Sequence, residues 1–384
     1  MAQLIRSTAN QNINLTPNGT GVVNMSSDDI ATNKVTTNLV IGGNFTTNPW
    51  QRGTTFNSLA SSSYSADRFL VQYSFDGAVN VTRSTDAPTY AQSGVVTSHS
   101  LLHTVATADA TIAAGQFYHA SYRVEGYDWA KLAQRAFTLS FWVKSNLTGT
   151  YCISFTNTSN SVYFLKEYTI NSANTWELKT ITVPALTTAG TQNYTNGIGL
   201  RLHWCLAVGT TNQGTLNASS WTTGQAFGTS NQVNWCGTIS NTFQLALVQL
   251  EIGSVATQFR ALDAATILRQ CQRYYFKTFP QGTAPAQNVG NNTGAHSYRA
   301  RRATAVANGE YIRFPVTMRA TPTITYYSPK AASTAWYDMT GSTASGASGS
   351  SGASDSGVYV TNAQAAADAI GDVLSIHLQA AAEL

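Results

Sequence analysis

Paired carboxylates could cleave a glycosidic bond. That reaction needs two of them about 5 to 9.5 Å apart, one as the acid and the other as the nucleophile or base. The 384-residue chain has 18 Asp and Glu residues in total. Asp109, Glu125 and Asp128 stand singly, without a paired motif, and no repeat period indicates a parallel β-helix. The sequence therefore predicts a protein that is not an enzyme, with a hydrolase as the alternative.

The histidines offer one close pair, His99 and His103. On a strand, this four-residue spacing would place both rings on one face, and together with His119 they could bind zinc or line a threefold axis. Histidines on a surface or in a core are more common than metal sites. We therefore expect no metal and no cofactor.

Flat aromatic faces could recognise a sugar, because they stack on the C–H surface of a pyranose ring while amides and carboxylates bind its hydroxyls. Tyr127, Asp128 and Trp129 supply that chemistry in one loop-like segment, and Trp221 and Trp235 flank a second loop rich in Gly, Thr, Ser and Asn. The alternative is that these rings are buried in the core. Four further tryptophans are assigned to packing and are poor ligand candidates: Trp50, Trp142, Trp176 and Trp204.

A run of arginines could bind phosphate or acidic lipopolysaccharide groups, because guanidinium groups form paired hydrogen bonds with such anions. Arg299, Arg301 and Arg302 are close together, and Arg313 and Arg319 follow. The alternative is a solvated strand edge that positive charges protect from unwanted pairing. The sequence leaves both interpretations open.

The composition indicates a β protein whose surface is built from Thr, Ser, Asn and Gln. Charged residues make up 10% of the chain, against about 25% in typical soluble domains. A formal net charge of +4 is too small for the dense phosphate contacts of nucleic-acid binding. No apolar run approaches the length of a membrane span, about 20 residues, and no basic and apolar leader begins the chain. We therefore expect no nucleic-acid partner, no membrane insertion and folding in a cytoplasm.

The four cysteines are predicted to be small buried apolar residues. They are widely spaced and contain no C-x-x-C pair, so neither a metal knuckle nor a disulfide framework is expected. They are Cys152, Cys205, Cys236 and Cys271.

Apolar residues at every second position predict the strands that position these groups. Phe137, Leu139, Phe141 and Val143 alternate with a second set that contains Trp142. A longer segment from Ile198 to Val208 has the same period. Such half-buried strands are typical of a two-sheet sandwich.

The pattern divides the chain into four predicted parts. Residues 1–38 form an extended arm that cannot bury a core alone. Residues 39–260 form a β-sandwich, 261–273 a helical connector with good helix formers, and 274–384 a smaller β-sandwich. Within the last part, the stretch 341–357 is nearly all Gly, Ser, Thr and Ala and predicts a mobile loop.

A series of short motifs resembles the carbohydrate-binding-module-like jelly rolls of phage tail and fibre proteins. In chain order these motifs are Asn38 to Phe45, Asn48 to Gly53, Ala66 to Phe69, Phe141 to Ser145 and Gln249 to Thr257. They cover roughly 220 residues. After them, Cys271 to Tyr275 is similar to a segment that commonly follows such modules, and Val316 to Thr325 resembles strand pairs of fibre-tip domains.

The resemblance implies a homotrimeric tail fibre, a structural and host-attachment component of a phage virion assembled in the host cytoplasm. Its arm would anchor it to other virion proteins, its jelly roll would bind glycans or act as a rigid spacer, and its tip would meet host polysaccharide or lipopolysaccharide. Fold does not fix function. The alternatives are a head fibre, baseplate or adaptor protein with no receptor role, a polysaccharide depolymerase, and a bacterial extracellular adhesin.

Overall fold

The alternating pattern forms antiparallel sheets through most of the chain, so the fold is mainly β, as the sequence predicts. The computed structural model describes residues 38–384 except 189, 218, 290–292, 302–307 and 364–368. Apart from residue 38, the predicted N-terminal arm lies outside the described residues. No helix in the described part of the chain is long and apolar enough to cross a membrane.

The described residues between 38 and 260 form two six-stranded sheets. Their order is β1-β3-β4-β12-β6-β9 in sheet A and β11-β8-β7-β10-β5-β2 in sheet B. In chain order the strands are β1 (Thr55–Phe56), β2 (Phe69–Tyr73), β3 (Ala78–Ser84), β4 (Ser100–Thr107), β5 (Phe117–Glu125), β6 (Phe137–Ser145), β7 (Gly149–Asn157), β8 (Val162–Ile170), β9 (Glu177–Val183), β10 (Ile198–Val208), β11 (Thr222–Thr223) and β12 (Thr242–Ile252). Two short helices, α1 (Tyr90–Ser93) and α2 (Gly126–Leu132), lie between strands.

The core of the sandwich lies between the two sheets. Phe137, Leu139, Phe141 and Val143 of β6 are buried, as their spacing predicts. Phe141 meets Trp204 of β10 edge to face, with 5.8 Å between the ring centres. Burying a side chain of this size contributes roughly 1.5–3 kcal/mol, so this inner layer holds the sheets together.

Strand β12 has apolar side chains on both faces, and other side chains of the protein cover each face. A register shift follows Ala246, and Leu247 has a left-handed φ of +48°. Ala246 and Leu247 therefore pack on the outer side of sheet A, in a cluster with Trp176 and the half-buried Val95 and Phe259. The bulge gives this strand its second apolar face.

Helix α3 (Ala264–Gln272) follows the sandwich. It begins after Asp263, whose carboxylate accepts a hydrogen bond from the Thr266 amide at 3.0 Å, as an N-cap residue does. The helix buries Ile267 and Cys271. The helix predicted over 261–273 is confirmed with narrower bounds, and Cys271 is buried like the other three cysteines.

The residues after the helix form a second pair of sheets around a separate core that includes Trp336. One sheet is organised around β21, which pairs with β13, β14, β16 and β17, and the other has the order β15-β20-β19. These strands are β13 (Tyr275–Lys277), β14 (His296–Arg299), β15 (Asn308–Arg313), β16 (Thr323–Tyr327), β17 (Tyr337–Asp338), β18 (Thr343–Ala344), β19 (Ala347–Ser351), β20 (Gly357–Ala363) and β21 (Val373–Ala381).

The prediction of a mobile loop over 341–357 is wrong. Strands β18 and β19 lie within it, and β20 begins at its end. The Trp336 amide donates a hydrogen bond to the Gly346 carbonyl at 3.1 Å. Small residues do not make a segment mobile when neighbouring strands pair its backbone groups.

A buried cluster of charged groups joins the sandwich to the second pair of sheets. We call it the junction cluster, and it consists of Arg52, Asp67, Arg68 and Glu383. Both arginines bind the Glu383 carboxylate, Arg52 at 2.9 Å through Nη2 and Arg68 through Nη1. Arg52 also lies 3.6 Å from the ring centre of Tyr275. Two arginines and one carboxylate from the sandwich are therefore joined by one carboxylate from the end of the second pair of sheets, so that positive and negative charges are equal in number.

Candidate functional site

The structure buries the three tryptophans that the sequence offered as sugar-stacking rings, Trp129, Trp221 and Trp235. The Trp129 indole donates a hydrogen bond to the Gln192 side chain at 3.0 Å, and the Trp221 indole donates to the Pro184 carbonyl at 3.0 Å. Their ring faces contact the core of the sandwich. These residues are corrected to core positions, because a face covered by other side chains cannot stack on a ligand.

Tyr127 and Asp128 remain at the surface, on helix α2. The Tyr127 side chain is 54% exposed. The Asp128 carboxylate pairs with Lys131 at 2.6 Å, one turn along the helix. Without Trp129, the predicted cluster is reduced to one exposed ring beside an ion pair.

The arginines considered together in the sequence do not all lie at one place in the fold. Arg299 and Arg301 are exposed, and Arg302 lies outside the described residues. Arg313 belongs to the β15-β20-β19 sheet, whereas Arg299 belongs to the sheet organised around β21. The Arg319 guanidinium donates to backbone carbonyls at 2.7 and 2.8 Å. Arg299 and Arg313 thus lie on different sheets, and Arg319 is bonded to the Asn196 and Ala382 carbonyls, so these three arginines do not form one surface.

The three histidines considered together in the sequence are separated in space. His103 faces the core, where its Nδ1 lies 2.9 Å from the Tyr118 hydroxyl. His119 lies on the outer side of sheet B against His203, with ring centres 4.3 Å apart. His99 is half-exposed. Within the described ranges, no group of three or more His, Cys, Asp or Glu side chains could hold a metal ion.

The outer face of sheet A brings together aromatic and polar side chains that are far apart in the sequence. Residues directly opposite on neighbouring strands share a face. Trp142 of β6 is opposite Ala246 of β12 and Leu178 of β9, and Lys144 is opposite Gln244. Two further side chains reach this face from segments beside the strands. We call the set the sheet A surface, which consists of Asp86, Trp142, Lys144, Trp176, Leu178 and Gln244.

Asp86 is the polar centre of the sheet A surface. Its carboxylate accepts hydrogen bonds from Lys144 Nζ at 2.6 Å, from the Trp176 indole at 3.1 Å and from Gln244 Nε2 at 3.2 Å. Partial burial acts to raise the pKa of Asp86, but these hydrogen bonds outweigh it and lower the pKa below its ordinary value. The group is therefore an anion at neutral pH. Its side chain is still 41% exposed and open to a ligand.

The surface beside this carboxylate is apolar. Trp142 is half-buried, and Leu178 is 52% exposed on the edge strand β9. An exposed apolar face next to a fixed carboxylate, ammonium and amide matches the two sides of a sugar, because C–H groups pack on the ring while hydroxyls bind the polar groups. Asp86 is the one carboxylate among the six residues of the sheet A surface.

The sequence assigned Trp142 to packing, and the half-buried ring does pack against the cluster of Trp176, Ala246 and Leu247. What sequence reasoning missed is that this ring lies on the outer face of sheet A, although a signal was present. Trp142 alternates with the buried Phe141 and Val143, so the period of two places it on the outer face of the sheet.

Comparisons with known proteins found no matching family model and no matching curated protein. Solved structures similar to this chain include the enzymatically active domain of tailspike protein 4 of bacteriophage CBA120, at 13% identity and a TM-score of 0.31, covering 56% of this chain and 21% of that one. TmCBM61 in complex with β-1,4-galactotriose is 9% identical, with a TM-score of 0.28, covering 56% and 99%. The family 11 carbohydrate-binding module from Clostridium thermocellum is 11% identical, with a TM-score of 0.28, covering 52% and 98%. The chain thus matches about a fifth of the length of the tailspike domain.

Proposed function

We propose that the protein binds a glycan on the sheet A surface. The observation that carries this proposal is the half-buried Trp142 beside the exposed, ionised Asp86, whose carboxylate is held in place by Lys144, Trp176 and Gln244. Three hydrogen bonds fix the Asp86 carboxylate, and Trp142, Lys144 and Gln244 lie on strands, so little entropy is lost when the ligand binds. Glycan recognition without bond cleavage is the function that this geometry supports best.

We further propose that the chain is a homotrimeric tail fibre of a phage virion, with residues 1–38 as its attachment to other virion proteins. This part of the proposal is supported by the charge-poor composition and by the resemblance of the sequence motifs to phage fibre proteins. Three copies per fibre would raise avidity by roughly 10² to 10⁴ over one weak site when they engage together. Millimolar affinity at the sheet A surface would then suffice for attachment to host polysaccharide or lipopolysaccharide.

Replacing Trp142 by alanine is expected to weaken glycan binding by about 2 kcal/mol, roughly thirtyfold in Kd, because the flat apolar face is lost while the fold keeps its core. The measurement is a screen of the full chain on an array of bacterial polysaccharides and lipopolysaccharides, followed by calorimetry with the best binder. Tyr127→Ala is the matched control, since it removes an exposed ring outside the surface. Equal affinity of Trp142→Ala and the unchanged protein, or loss of binding in Tyr127→Ala alone, would contradict the proposal.

The oligomeric state is tested separately. Light scattering of the full chain is expected to give three times the chain mass of 41.1 kDa. A mass near that of one chain would refute the trimer and leave the binding surface to be judged by the array.

The alternatives have distinct results. A depolymerase would release reducing ends from polysaccharide incubated with the purified protein. A head fibre, baseplate or adaptor protein with no receptor role would bind no glycan, and immunogold labelling of intact particles would place it on the virion. Asp86 as the single carboxylate of the sheet A surface disfavours hydrolysis there, because this chemistry uses two.

A further inference from the structure

A pair of exposed tyrosines lies on the outer face of the three-stranded sheet β15-β20-β19. Tyr311 of β15 and Tyr359 of β20 are directly opposite in the strand register. Their side chains are 42% and 40% exposed. The neighbours that alternate to the inner face, Ile312 and Val360, are buried in the core. The tyrosines therefore face outward, while the opposite face of the sheet packs on the core.

Two glycines set the position of the tyrosine rings. A Cβ atom on Gly309 would lie 2.5 Å from Cε1 of Tyr359, and a Cβ on Gly357 would lie 2.6 Å from Cζ of Tyr311. Each ring therefore lies over the backbone of the neighbouring strand, in space that only a residue without a side chain leaves free. The Tyr311 hydroxyl also lies 3.4 Å from the Ser356 hydroxyl. The rings are thus ordered before any ligand arrives, which lowers the entropic cost of binding.

The rim of this pair is polar. Arg313 lies on the same face of β15, with its guanidinium 5.9 Å from the ring centre of Tyr311. Thr361 follows Tyr359 on the same face of β20, and Ser356 precedes that strand. We call the set of Tyr311, Tyr359 and Arg313 the tyrosine platform. It offers two aromatic faces surrounded by hydroxyl groups and one cation.

We propose that the tyrosine platform is a second glycan-binding site, separate from the sheet A surface. The inference rests on the proposed function for the class of ligand but not for the location of the site. Two ring faces suit two sugar units of one chain, whose C–H faces stack on the tyrosines while hydroxyl or carboxylate groups reach Arg313 and the serine and threonine hydroxyls. A second copy of the protein fits less well, because stable protein interfaces bury about 1,600 Å² with an apolar centre, and here the apolar area is limited to two rings.

The test compares the full chain with the variants Tyr311→Ala, Tyr359→Ala and the double variant on the same glycan array, followed by calorimetry with each bound glycan. The double variant is expected to lose at least about tenfold in affinity for one or more glycans. Tyr311→Phe keeps the ring and is expected to stay within about threefold of the unchanged protein. Tyr90→Ala removes an exposed tyrosine of α1 and is expected to bind like the unchanged protein.

Gly309→Ala tests the geometry without removing a ring. Its Cβ would lie 2.5 Å from Cε1 of Tyr359 and 2.8 Å from the Val360 carbonyl oxygen. The ring and the strand beneath it must shift, so binding is expected to weaken although both tyrosines remain. Unfolding midpoints of all variants show whether the sheet is intact, and binding is compared among those that unfold like the unchanged protein.

Three results would overturn the proposal. They are unchanged binding in the double variant, an array on which the full chain binds no glycan, and a lower mass of the double variant in light scattering, which would assign the platform to contacts between copies. Loss of binding in the tyrosine variants with none in Trp142→Ala would refute the sheet A surface and keep the platform, and the reverse result would do the opposite.

Discussion

Glu383→Ala is expected to lower the free energy of unfolding by about 3–5 kcal/mol, because it removes the carboxylate that pairs with the buried Arg68 and leaves the half-buried Arg52 with Asp67 alone, 3.7 Å away. The Arg68 side chain is 1% exposed and that of Glu383 is 11% exposed. Arg68 also lies 3.6 Å from the ring centre of Tyr274, and the ring face alone cannot balance a full charge in such a site.

Urea unfolding of the full chain at neutral pH measures this effect. Asp128→Ala is the matched control, because it breaks an ion pair on the surface of α2 and is expected to cost about 0–1 kcal/mol. If both variants unfold at the same urea concentration, the junction cluster is not a source of stability. A variant that replaces Arg68 by methionine together with Glu383→Ala is expected to recover part of the loss, since it removes a buried charge along with its partner.

The protein is expected to lose stability as the pH falls below about 6.5. Burial lowers the pKa of His103 and of His119 to about 3 and that of His203 well below its ordinary value. Above pH 6.5 these rings are neutral in both the folded and the unfolded chain, so their contribution to stability is complete. Below 6.5 the unfolded chain binds protons that the folded chain does not, and stability declines towards the folded pKa. His103 and His119 each account for about 2 kcal/mol between pH 7 and pH 5.

Urea unfolding at pH 7 and pH 5 checks this prediction with the variant His119→Gln. The amide can still bond to the Ser121 hydroxyl, which lies 2.7 Å from the histidine Nδ1, but it cannot take up a proton. The difference in stability between the two pH values is expected to shrink by about 2 kcal/mol. His99→Gln, at a half-exposed position, is expected to change it much less. An unaltered difference in His119→Gln would show that other groups cause the acid sensitivity.

The β architecture could be predicted from the sequence because alternation is a local property. Phe137, Phe141 and Val143 are buried as their spacing requires, and helix α3 lies within its predicted range. The strands from 341 to 357 could not be predicted, because Gly, Ser and Ala have little strand preference of their own. The segment forms strands by pairing, β18 with β17 and β19 with β20. Tertiary contacts, and not composition, determine that this segment forms strands.

The candidate site was less accessible to sequence reasoning. The tryptophans of the predicted loops are buried by residues distant in the sequence, such as Gln192 against Trp129. Conversely, the three side chains that donate hydrogen bonds to Asp86 come from β6, β12 and the segment before β9. No spacing rule connects these residues, since the order of strands in a sheet differs from their order in the chain.

The sequence motifs around Arg52 and Arg68 could be found, but their role could not. Their partner Glu383 is more than 300 residues away in the sequence. The segment with Tyr274 and Tyr275 supplies the ring faces over which the two guanidiniums lie. The motifs therefore contain the two arginines of the junction cluster, whereas their carboxylate partner Glu383 lies in a distant part of the sequence.

This arrangement has a consequence for biosynthesis. Strand β21 pairs with four strands that precede it, and Glu383 compensates two arginines of the first hundred residues. Before residues 373–383 have been synthesised, the sandwich can collapse but its arginines lack the Glu383 carboxylate, and the second set of sheets lacks its central strand. We expect the nascent chain to stay sensitive to protease until translation has passed residue 383.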